Sequence, residues 1–93
     1  MKTIEGFRLR KLGNEYILIG ESMELINFNK MITLNETAAF LWQQAERLTH
    51  EQGIFSANEL CSALCAEYEV SAEQAKADVE ATLSAWLETG VIA

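Results

Sequence analysis

Few residues in this chain have side chains and spacings that suggest chemistry. His50 is the only histidine, and it stands beside Glu51. Nucleophilic catalysis needs a hydroxyl or thiol within hydrogen-bond reach of the base, and a third group to orient that base. No such partners stand at a recognisable spacing, so His50 is expected to be an exposed loop histidine. Cys61 and Cys65 lie four apart in a helical pattern. Together with His50 they fall one ligand short of a structural zinc site and match no known ligand spacing. A bridge within one helix has poor geometry, so two reduced, partly buried thiols are expected. Glu73, Lys76, Asp78 and Glu80 read as a solvated helix face, with Lys76 and Glu80 supporting each other one turn apart. Trp42 and Trp86 sit at helical positions and are most simply core residues. Without a cluster of glycines there is no phosphate-binding loop. Neither a catalytic constellation nor a cofactor or metal site is expected, so function must come from surface and shape.

Size and composition frame the rest. Ninety-three residues make one domain, 1–93. A chain of this length buries roughly two-thirds of the surface its unfolded form exposes, enough for one core. Proline is absent and glycine numbers 5, so no linker is expected. The formal charge is −7. Affinity for nucleic acid rests on Lys and Arg neutralising phosphates, so this chain repels a phosphate backbone overall. Four of its cations (Lys2, Arg8, Arg10 and Lys11) cluster near the N-terminus, which reads as a weak patch on a solvated strand. The opening residues carry no apolar run of the signal-peptide kind. No segment approaches the ~20 apolar residues that span a bilayer. With two reduced thiols, the expected location is the cytoplasm.

The elements that must position any surface follow from periodicity. Phe7 to Leu12 alternates, Gly13-Asn14 is a two-residue hairpin signal, and Glu15 to Gly20 returns as a second strand. Tyr16-Ile17-Leu18-Ile19 is apolar on both faces. Helices packed on one face explain half of that. The other half predicts either an apolar patch for a partner or twin subunit, or cover by the tail Met1–Glu5. Met23 to Asn29 alternates as a third strand, with Asn29 to Ile32 as a connection too short for an element. Strands joined by short turns pair in order, which leaves the third as an edge. Three capping-box signatures then announce helices: Thr33 to Glu36, Ser56 to Glu59 and Ser71 to Gln74. The first helix is expected to run to about Leu48, with Ala38, Leu41, Trp42 and Ala45 inward. The second runs to about Tyr68, with Leu60, Cys61, Leu64 and Tyr68 inward. The third runs to about Thr89 and carries Ala72, Ala75, Val79, Leu83, Trp86 and Leu87 on one face, with Gly90 as its cap. The fold class is α+β: a three-stranded antiparallel sheet followed by three helices.

The order βββααα, the segment NFN-x-MITLNETAAFLW, the later FSANEL and EYEVS-x-EQA-x-x-DVE, and the closing LETGVI together resemble the family of pyrroloquinoline quinone biosynthesis protein D, the PqqD-like domains or RiPP recognition elements. The resemblance covers Gly6 to Ile92. It implies a winged-helix-like module without catalysis. Such a module binds the leader of a ribosomally made precursor peptide and presents it to a modifying enzyme, often a radical S-adenosylmethionine protein. The leader adds as a strand along the third strand, beside the third helix. Carried over here, that implies a peptide site at Glu24, Leu25, Ile26, Asn27 and Phe28, with Lys76, Val79, Glu80 and Leu83 on the helix. Lys76 is that helix's only cation, so either binding leans on backbone pairing and apolar pockets or the leader is not acidic.

Edge-strand physics supports this independently, because unpaired N–H and C=O groups are a template for β-augmentation. Two rival readings make other demands. A winged-helix DNA binder must overcome the −7 charge. A structural homodimer or interaction protein would use the apolar strand Tyr16–Ile19.

Overall fold

The computed structural model describes residues 1–20 and 31–93. Strand β1 (Phe7–Leu12) and strand β2 (Glu15–Gly20) pair antiparallel around the predicted Gly13-Asn14 turn. Gly13 takes φ +64°, which a side chain would disfavour. Strand β3 (Met31–Leu34) pairs antiparallel with β2, giving the order β1-β2-β3. Three helices follow: α1 (Glu36–Gln52), α2 (Ala57–Glu67) and α3 (Ala72–Thr89). The predicted α+β class holds, three antiparallel strands followed by three helices, with Met31–Leu34 as the third strand.

The expected strand Met23–Asn29 falls within 21–30, outside the described residues. The expectation for the passage after it is corrected. Met31–Leu34 is itself a strand, and Thr33 lies within it rather than capping a helix. Alternation explains why: Ile32 and Leu34 turn to the core face opposite Leu18 and Tyr16, while Met31 and Thr33 turn away. The cap passes to Asn35, whose side-chain oxygen accepts from the Ala38 N–H at 2.8 Å. Asn is among the strongest N-cap residues, so the helix starts where Asn35 allows. The first helix also continues to Gln52, past the expected end near Leu48. Gly53, at φ +86°, is where the backbone can take the left-handed turn that closes it.

The other two helix starts are where the sequence puts them. Ser56 and Glu59 form the reciprocal capping box. The Glu59 carboxyl is held below its ordinary pKa, chiefly by the Gln52 side chain and also by the Ser56 N–H and hydroxyl. Ser71 accepts from the Gln74 N–H, while the Gln74 amide turns to Asp78. Gly90 at φ +87° ends α3, and Val91 behind it is buried.

The core joins Phe7, Leu18 and Leu34 from the sheet to Leu41, Trp42, Ala45, Leu60, Leu64, Val79 and Leu83 from the helices. Trp42 meets Trp86 edge to face, with centroids 5.4 Å apart at 87°. Five inward assignments shift. Ala39 is buried where Ala38 is half-buried, Ala72 and Leu87 are exposed, and Cys61 and Tyr68 lie at the core margin. The N-terminal tail goes to the C-terminus. Lys2 and Ala93 exchange backbone bonds at 2.8 and 2.9 Å, the Ile4 N–H donates to Val91, and the Phe55 N–H donates to the Met1 carbonyl. The tail therefore ties residues 91–93 and Phe55 together, instead of folding over the outer face of the sheet.

Candidate functional site

Hydrogen-bond direction along the sheet can be worked out from register alone. A two-residue hairpin closes on a hydrogen-bonded pair, here Leu12 and Glu15. In an antiparallel ladder such pairs alternate with non-bonded ones, so Arg8, Arg10 and Leu12 point their backbone groups at β2, and Ile17 and Ile19 return them. Tyr16 and Leu18 must then point at β3, where they face Leu34 and Ile32. That leaves Met31 and Thr33 with N–H and C=O directed away from the sheet. Among the described residues no strand pairs with this side of β3. Among the described residues this margin thus offers two donors and two acceptors, spaced for an extended guest chain.

The side chains at this margin divide by face. Met31 and Thr33 lie on the outer face, in lateral rows with Ile19 and Arg8 and with Ile17 and Arg10. Met31 is 67% exposed, and Ile17 and Ile19 are half-buried. On the other face Ile32 and Leu34 belong to the core.

On α3, Lys76 and Glu80 are exposed and one turn apart, while Val79 and Leu83 are buried in the core. Lys76 and Glu80 therefore present chemistry, and Val79 and Leu83 hold the helix that carries them. Burial pushes the Cys61 thiol up from its usual pKa; nearby Cys65 and Glu80 push the same way and Lys76 opposes them. Glu24, Leu25, Ile26, Asn27 and Phe28 lie outside the described residues. Sequence reading missed Met31 and Thr33 as edge residues. The signal was the alternation Met31-Ile32-Thr33-Leu34, masked by a hydroxyl and a carboxylate at capping spacing.

Among the described residues no group of three or more His, Cys, Asp or Glu side chains is placed to hold a metal ion. No described helix is long and apolar enough to cross a membrane. His50 is exposed near the end of α1, within the helix rather than in the expected loop.

Comparison with known proteins adds three findings. The family model for coenzyme PQQ synthesis protein D (PqqD) matches residues 15–92. No curated protein matches the chain. Two solved structures share the fold over nearly its full length. TbiB1, in complex with the TbiA(beta) leader peptide, aligns with a TM-score of 0.73 at 20% identity, covering 99% of this chain and 94% of that one. A lasso peptide synthetase B1 complexed with the leader peptide aligns with a TM-score of 0.68 at 22% identity, covering 99% and 95%.

Proposed function

The chain belongs to the family of coenzyme PQQ synthesis protein D, and from that premise we propose that it is a non-catalytic, cytoplasmic peptide chaperone acting as one domain over 1–93. It binds the leader of a ribosomally synthesised precursor by strand addition and presents it to a modifying enzyme of the radical S-adenosylmethionine or a related type. The observation that carries the reading is the outward-directed backbone of Met31 and Thr33 on the β3 margin. Two structural neighbours with leader peptides bound add support.

Energetics define what the leader must bring. Two outward residues allow four backbone hydrogen bonds. At ~0.5–1.5 kcal/mol net each, these supply roughly 2–6 kcal/mol before the guest is ordered. Micromolar affinity needs about 8 kcal/mol. Side-chain contacts provide the remainder and the selectivity, through exposed Met31, the Lys76–Glu80 turn, and the segment Glu24 to Phe28. The acidic surface of α3 favours a leader that is not itself strongly acidic at that contact.

Titration of isotope-labelled chain with synthetic leader peptides from short genes beside its own tests this. The amides of Met31 and Thr33 should shift, together with those near Lys76 and Glu80. Unshifted amides at all four positions with every candidate would sink the proposal. Thr33→Pro removes an outward donor without removing a ladder bond. It should weaken leader binding at least tenfold and leave the tryptophan emission of the core unchanged.

A further inference from the structure

The sheet has a second margin, and we propose that it docks an extended segment of a separate protein carrying carboxylates at alternate positions. The alternation that turns Met31 and Thr33 outward at β3 turns Phe7, Leu9 and Lys11 outward at β1. Among the described residues no strand pairs with that side of β1. A groove of about 740 Å³ runs beside it, lined by Ile4, Glu5, Phe7 and Leu9 and by Gln43, Glu46 and His50 of α1. An unpaired strand margin flanked by a helix-lined groove has the geometry of β-augmentation, with alternate side chains of the guest entering the groove.

Charge and register choose the occupant. A guest strand here places alternate side chains beside Arg8 and Arg10 on the outer face, and the others over the groove. Arg8 and Arg10 are exposed. Both also interact within the chain, and it is their charge and register that matter. Lys11 adds a third cation at the same margin, its ammonium 5.8 Å from the Tyr16 ring. Like charges directly opposite each other destabilise a strand pair, and opposite charges stabilise it. A second copy paired along the whole of β1 would set Arg8 against Arg10 of the other copy twice over, and Phe7 against Lys11. That register is disfavoured, so the margin rejects its twin and selects an acidic outward face with apolar residues inward. Among the described residues the β3 margin has no paired strand either, so a leader and an enzyme's docking segment can be held at once on opposite sides of one sheet. The proposal does not depend on the leader reading.

The probe is a capped synthetic peptide of alternating Glu and Val, with an alternating Lys and Val peptide as control. Each is titrated into isotope-labelled full-length chain. Binding of the Glu peptide should shift the amides of Phe7, Leu9 and Lys11 and slow their hydrogen exchange, and it should weaken as salt rises. The Lys peptide should bind at least tenfold more weakly. Lys11→Pro, which removes an outward N–H and no ladder bond, should weaken the Glu peptide at least tenfold, and Arg10→Glu should do the same. If these amides stay unshifted at millimolar peptide, if shifts fall only at Met31 and Thr33, or if the two peptides bind equally, the proposal is wrong. Sedimentation showing a dimer abolished by Lys11→Pro would overturn the choice of occupant.

Discussion

Individual residues here divide into those that present and those that support. Cys61 shows how position sets chemistry. It lies half-buried between α2 and α3, and its thiol is pushed up by burial first and by Cys65 and Glu80 next. A raised pKa leaves less thiolate at a given pH, and the thiolate is the nucleophile. At pH 8 Cys61 should therefore alkylate more slowly than a thiol in an unstructured peptide, and its rate should still be climbing at pH values where the reference has levelled off. Iodoacetamide labelling followed by peptide mass analysis measures both. Reaction at the reference rate would mean that the thiol is not packed as described. Trp42 is the other residue with an unusual position: its indole N–H is buried with no acceptor among the described residues. Its contact with Trp86 holds α1 against α3 despite that cost.

At the scale of elements, the passage from β3 into α1 decides the geometry of the candidate site. Leu34 is the last strand residue and is buried, Asn35 is the cap, and Glu36 opens the helix. No linker separates them, so the start of α1 fixes where Met31 and Thr33 lie. Asn35→Ala removes the bond to the Ala38 N–H and should cost about 0.5–2 kcal/mol of stability. Thr33→Ala leaves the cap intact and should cost less. Urea unfolding of the two variants compares them directly. A larger loss at Thr33 would return the helix start to the Thr33–Glu36 box. Sequence reading went wrong here because two rules of comparable strength overlap. A hydroxyl three residues before a glutamate signals a cap, and alternation across the same residues signals a strand. Burial of Ile32 and Leu34 against β2 settles the competition, and burial is a property of the pair of strands, not of the segment.

For the molecule as a whole, the ends are tied. Lys2 and Ile4 bond to residues 91–93, and Met1 bonds to Phe55, so the tail closes the core at the side away from β3. Removing residues 1–4 deletes at least four backbone hydrogen bonds and uncovers Val91, Ile92 and Phe55. At ~0.5–1.5 kcal/mol net per bond the loss is roughly 2–6 kcal/mol, a large part of the 5–15 kcal/mol typical of a domain. Thermal unfolding should show a drop in Tm of ten degrees or more. A drop of only a degree or two would mean that the tail is ornamental. The β3 margin lies elsewhere in the sheet, so leader binding by the truncated chain below its Tm should be unchanged.

The sequence by itself determined the class, the first hairpin and two of the three helix starts. Alternation, a Gly-Asn turn, serine caps and a cap glycine are local devices that act without knowing the rest of the chain. It also determined the two-faced character of β2, because apolar residues on both faces need no partner to be visible. Tertiary structure alone decided which backbone groups look outward and that the tail binds the opposite terminus. Each of these depends on register or on what another segment covers, and neither is written in any single stretch of residues.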